Sequence, residues 1–263
     1  MASSTSLLSL PFPATSPHRP KFPAISKPLS LSFPNAEALN PSIPLRRRIF
    51  LTSASAIWDA FTGGGNAARD AALAIRRGMQ LFKKGDVGES LVEFDRAIEL
   101  DPRQKFWTRP VQDLWQRGLS LYYLDRFEEG AEQFRLDVAA NPNDTEESIW
   151  CFLCEAQMHG VEEARKRFLE VGRDSRPVMR EAYIMFRDAG DPEKLVSSFS
   201  GGQEHEYFYA SLYAGLYYES QNEMDLAKVH IVEACKSPYG SRSDDYMAYL
   251  AKVHCQCRNW GLS

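Results

Sequence analysis

Residues 78–102 read GMQLFKKGDVGESLVEFDRAIELDP, placing Phe94 16 residues and Pro102 24 residues after Gly78. The same ladder returns at Gly118, Phe134 and Pro142, and a worn third copy runs from Gly215 to Ile231 with Pro238 one step short of register. Self-similarity at a fixed spacing marks a repeat protein, in which each unit buries its apolar face against the next. In the first copy Leu73, Ile75, Met79, Leu81 and Phe82 lie at helical spacing, Gly85-Asp86 turns the chain, and Leu91, Phe94, Ala97, Ile98 and Leu100 form the stripe of a second helix. Asp101-Pro102 stops that helix, because the residue before proline is pushed out of the helical region. The spacing predicts an all-α protein of antiparallel helix pairs.

These landmarks resemble the tetratricopeptide repeat (TPR), a 34-residue helical hairpin. Its small residue at position 8 lets helix A approach helix B, and a large residue at position 24 fills the gap between them. The copies fall at 71–104, at 111–144 after an insertion from Lys105 to Pro110, and at 208–241; Asp137 stands where a small residue is usual. The resemblance implies a right-handed superhelix of α-hairpins over residues 67–260. Its middle is irregular, with helix pairs Ile149–Met158 and Glu162–Val171, then Val178–Arg187 and Pro192–Ser198. A terminal helix from Asp245 to Arg258 is expected to cap the last repeat.

A more specific resemblance is to the NlpI-type TPR lipoproteins. It is carried by Leu121-Tyr122-Tyr123, Asn141-Pro142-Asn143-Asp144, Ser148-Ile149-Trp150, Glu155-Ala156-Gln157, Glu163-Ala164, and Phe208-Tyr209 leading to Gly215-Leu216-Tyr217-Tyr218. That family implies all-helical, often dimeric scaffolds that dock a C-terminal-processing protease or envelope enzymes. The chain departs from it in having no cysteine before Cys151, so a lipidated N-terminal cysteine is not expected.

Residues 1–45 are rich in Ser and Pro and nearly free of acids, which reads as a chloroplast transit peptide; Pro11, Pro13, Pro17, Pro20 and Pro23 exclude the amphipathic helix of a mitochondrial leader. Arg47-Arg48-Ile49-Phe50-Leu51 with Ala54-Ser55-Ala56 resembles a twin-arginine thylakoid signal, so 46–66 is read as that signal and a linker ending in Gly63-Gly64-Gly65, which are expected to interrupt any helix. Thylakoid lumen and stroma both stay open as addresses. Residues 69–263 carry 25 basic against 33 acidic residues, a formal charge of −8. An acidic surface repels phosphate backbones, so no nucleic-acid role is expected, and no apolar run is long enough for a membrane span.

In a TPR superhelix, fixed positions of each helix A face the concave wall. They map to Ile75, Met79 and Phe82, to Trp115, Leu119 and Tyr122, and to Tyr209, Leu212 and Leu216, an apolar and aromatic groove suited to a helix or hydrophobic peptide of a partner protein. The same side chains would equally serve as core, buried by the irregular middle helices or by Asp245 to Arg258 folding back. Cys151 and Cys154, and His254-Cys255-Gln256-Cys257, lie inside apolar helices and read as buried thiols, not a metal site. No phosphate-cradling glycine loop or zinc-hydrolase helix occurs, and Glu204-His205-Glu206 reads as a helix start. The expected function is therefore a non-enzymatic protein-interaction scaffold in assembly, maintenance or turnover of thylakoid complexes, without cofactors. Two alternatives stand beside it: an adaptor for a lumenal C-terminal-processing protease, and an enzyme with an unrecognised groove site.

Overall fold

The apolar periodicity becomes helix throughout the computed structural model, which describes residues 54–101 and 114–261. The expected transit peptide, the Arg47-Arg48 pattern and the insertion ending at Pro110 lie outside these residues. The described residues hold twelve helices and no strand. They are α1 (Ala54–Lys84), α2 (Val87–Leu100), α3 (Trp115–Tyr123), α4 (Phe127–Ala140), α5 (Thr145–His159), α6 (Val161–Lys166), α7 (Pro177–Asp188), α8 (Pro192–Phe199), α9 (Glu204–Ser220), α10 (Met224–Lys236), α11 (Pro238–Arg242) and α12 (Tyr246–Cys257). Successive helices pack in neighbouring pairs, most extensively α1 with α2, α9 with α10, and α4 with its neighbours α3 and α5.

Three of the hairpins turn identically. Gly85, Asp125 and Asn222, each seven residues past its landmark glycine, take φ of +89°, +58° and +62°. Just beyond them Asp86 N, Arg126 N and Glu223 N donate to the carbonyls of Leu81, Leu121 and Tyr218 at 2.9–3.0 Å. A left-handed residue followed by this return bond satisfies carbonyls that the helix end leaves open. Gly suits the position for lack of a Cβ, and Asp and Asn tolerate it through short polar side chains. Beyond each turn the helices approach closely. A Cβ built on Gly78 would stand 2.9 Å from Phe94 Cε1, one on Gly118 2.6 Å from Phe134 Cζ, and one on Gly215 would overlap Ile231 Cγ1.

Elsewhere the chain departs from the expected pattern. α1 passes through Gly63-Gly64-Gly65, where a break was expected. Each glycine costs about 1 kcal/mol relative to Ala, but a helix that continues on both sides needs no new nucleus. α6 ends at Lys166 and does not reach Val171. Tertiary bonds replace its last turn: Ser148 Oγ donates to Leu169 O at 2.7 Å, Gly172 N donates to Pro142 O at 2.8 Å, and the Phe168 ring packs against Phe152 and Tyr183 at 5.6 and 5.2 Å. A short helix at Pro238, α11, was not anticipated; proline at its first turn gives up no needed donor.

Asp137 occupies the place where the other copies bury Ala97 and Ala234, both 0% exposed. Its Oδ1 accepts from Gln133 Nε2 at 3.1 Å, while Oδ2 is sealed without a partner. Burial pushes the carboxyl up to about 7, opposed by the Gln133 bond and reinforced by Asp144. A carboxyl raised above its unfolded value stabilises the fold when protonated. That stability is fully present below about pH 4 and is lost as pH rises through about 7. Asp137→Ala is expected to stabilise the protein by about 1–2 kcal/mol at pH 8, with the gain vanishing below about pH 4, as measured by urea unfolding at each pH.

Candidate functional site

α9 is apolar around its whole circumference, with Phe208, Leu212, Tyr213, Leu216 and Tyr217 buried, which is the signature of a helix enclosed on all sides. α12 is similarly built, burying Met247, Leu250, Ala251, Val253 and His254, and it packs against α10 and α1 at once. The last helix thus does more than cap the last repeat. It bridges the ends of the described hairpins.

The nine residues expected to line an open groove are mostly enclosed. Phe82, Leu119, Tyr122, Leu212 and Leu216 are 0% exposed within the main core. Ile75 is buried in a smaller cluster with Ala71, Phe94 and Leu114, against which Met79 packs. Tyr209 is buried, and Met79 and Trp115 keep partial exposure. Over Phe82 and Trp115 the cover comes from α12. The Tyr246 ring stacks on Phe82 at 5.5 Å and meets Trp115 edge-on at 5.1 Å. Groove and core both stood as readings of these side chains; in this conformation most of them are core, covered within the chain itself.

Polar contacts hold α12 at both ends. At its start, Asp245 Oδ1 accepts from Met247 N at 3.0 Å and caps the helix, while Oδ2 accepts from Tyr209 Oη at 2.7 Å and Tyr239 Oη at 2.8 Å. The Tyr209 ring lies 5.7 Å from the Arg176 guanidinium, whose Nη1 donates to Glu146 Oε1 at 2.5 Å and Nη2 to Asp174 Oδ2 at 2.8 Å. Burial, then the Glu146 and Asp245 charges, drive the Tyr209 phenol up, so it stays a neutral donor.

At the other end, Glu219 is 4% exposed and receives Arg258 Nε at 2.6 Å, with His254 Nε2 3.1 Å from its second oxygen. His254 Nδ1 shares a hydrogen bond of 3.0 Å with Tyr123 Oη, and Trp260 covers the imidazole at 5.2 Å. Burial alone would raise the Glu219 carboxyl, but His254 and Arg258 together hold it below the ordinary carboxylate value. The signal in the sequence is that Glu219 follows Leu216 by three residues, one turn along the same helix. His254 and Arg258, four residues apart on one helix face, form the matching basic pair.

Gln203 and Glu206 form a capping box at the start of α9, which accounts for Glu206 in the Glu204-His205-Glu206 trio. The Cys151 thiol is pushed up to about 12 by burial, despite Arg135, and donates to Ala131 O at 3.7 Å. Among the described residues no group of three His, Cys, Asp or Glu side chains could hold a metal ion. A cleft of about 350 Å³ opens between α2 and α4, lined by Asp95, Glu99, Glu129 and Glu132. Its Arg117 is held by Asp95 at 2.7 Å and Gln133 at 3.3 Å. Among the described residues no helix is long and apolar enough to cross a membrane. No protein-family model matches the chain, and no curated protein matches it either.

Proposed function

We propose that the protein is a non-enzymatic scaffold of the TPR type, acting in the chloroplast to hold a segment of a partner protein. One observation supports the reading above the others: three hairpins share the same left-handed turn and the same contact between a landmark glycine and the large residue 16 positions on. Stacked hairpins of this kind offer extended surfaces whose value is recognition, not chemistry. Met79 and Trp115 are the half-buried members of the expected groove, with Trp115 against Tyr246, and they support a docking rim at that edge of the core.

A photo-crosslinking phenylalanine analogue placed at Trp115 tests this in isolated chloroplasts importing the full chain. Adducts to a defined protein are expected from position 115 and not from Val92, which is 66% exposed on α2. Adducts from Val92 alone, or from neither, would contradict the assignment of the docking rim. Trp115→Ala is the informative substitution for a binding assay, whereas Tyr122→Ala would remove a ring that is 0% exposed and so unfold the core along with any site.

A further inference from the structure

Of the five cysteines, two from different helices face each other: Cys235 Sγ on α10 and Cys255 Sγ on α12 are 3.9 Å apart. Both side chains are buried, at 5% and 0% exposure, so the approach is imposed by packing of the two helices and not by chance encounter at the surface. Cys151, by contrast, donates to the carbonyl of Ala131, and Cys154 Sγ lies where a Cβ on Gly130 would meet it.

We propose that Cys235 and Cys255 form a disulfide that locks α12 onto α10. A disulfide has its sulfurs about 2.05 Å apart, so rotation of the two side chains must close the remaining gap. Bonding between the thiols, aided by the Lys228 charge, holds Cys255 below the ordinary thiol value against burial, while Cys235 is driven up. With α12 undocked that bond is absent and either thiol, its proton lost to solvent, can attack first, here Cys255. It displaces one sulfur from the disulfide of a dithiol oxidant, giving a mixed disulfide and a released thiolate. Cys235, losing its proton to solvent, attacks the Cys255 sulfur and expels the oxidant as its dithiol. Two electrons leave the protein for the oxidant, and the two protons given up by its thiols are taken up by the oxidant's sulfurs, so no proton is released overall. Access comes while α12 is undocked, during folding or local opening.

The bond would close a short loop of the chain and restrict its unfolded state. The inference is independent of whether Trp115 marks a docking rim. Full-length protein equilibrated with oxidised dithiothreitol, then denatured and titrated, is expected to show three thiols where the reduced protein shows five. Peptide mapping of that unmutated sample should find Cys235 linked to Cys255. The midpoint of thermal unfolding should rise by about 5–10 °C, a gain absent from Cys235→Ala and Cys255→Ala treated alike. Five thiols after oxidation, a different linkage, or a gain retained by both variants would overturn the proposal.

Discussion

Glu219→Ala is expected to destabilise the protein by about 3 kcal/mol and to loosen α12 before the rest of the fold. The carboxylate faces both Arg258 and His254, and His254 is 0% exposed, so removing the carboxylate leaves the Arg258 guanidinium without its partner and His254 Nε2 facing no acceptor, while His254 Nδ1 keeps Tyr123. Breaking such a set by removing one member costs more than the set contributes relative to an apolar replacement, because the groups left behind are only partly returned to water. Glu219→Gln keeps the shape and should lose less, about 1–2 kcal/mol. The effect depends on pH in a defined sense. The carboxyl of the folded protein lies below its ordinary value, so its stabilisation is present above the unfolded value of about 4.5 and disappears as pH falls through the folded one. Urea unfolding of both variants should therefore differ from the parent at pH 7 and converge with it in strong acid. Equal stability at pH 7 would show that Glu219 does not hold α12.

The second large effect is at Gly215. Its helix lies so close to α10 that an added Cβ would overlap Ile231 Cγ1 and approach the Ala227 carbonyl to 3.0 Å, and a backbone oxygen cannot swing aside as a side-chain tip can. Gly215→Val should cost about 3 kcal/mol and lower the unfolding midpoint by about 6–12 °C. Gly88 in α2 is the control. Nothing lies within 4 Å of a Cβ there, so Gly88→Ala should stabilise the protein by roughly 0.5–1 kcal/mol through helix propensity. If both substitutions were equally harmful, the loss at Gly215 would reflect helix chemistry in general and not the contact between α9 and α10.

How far the fold could be read in advance follows from which forces are local. Gly78 with Phe94, Gly118 with Phe134 and Gly215 with Ile231 were legible because helix-pair packing repeats at a fixed spacing. Their hairpin turns at Gly85, Asp125 and Asn222 follow from the same register. The extent of α6 was not legible, since Leu169 and Gly172 are held by partners at Ser148 and Pro142 that no local pattern announces. Periodicity assigned Phe82, Trp115 and Tyr209 to the apolar side of their helices but left open whether that side meets solvent, a partner or the chain itself, with a fold-back of Asp245 to Arg258 among the covers that would make it core. Asp245, Tyr246 and Arg258 carry the answer, and they act from a distant part of the sequence.

Hydrogen–deuterium exchange of the full chain, resolved to peptides by mass spectrometry, tests the seating of α12 most directly. Peptides covering Tyr246–Cys257 should exchange as slowly as those of α9, through opening events close to global unfolding, and Glu219→Ala should accelerate α12 selectively. Complete exchange of α12 within seconds, while α9 stays protected, would mean that Phe82 and Trp115 are not held covered and that α12 is not seated on them.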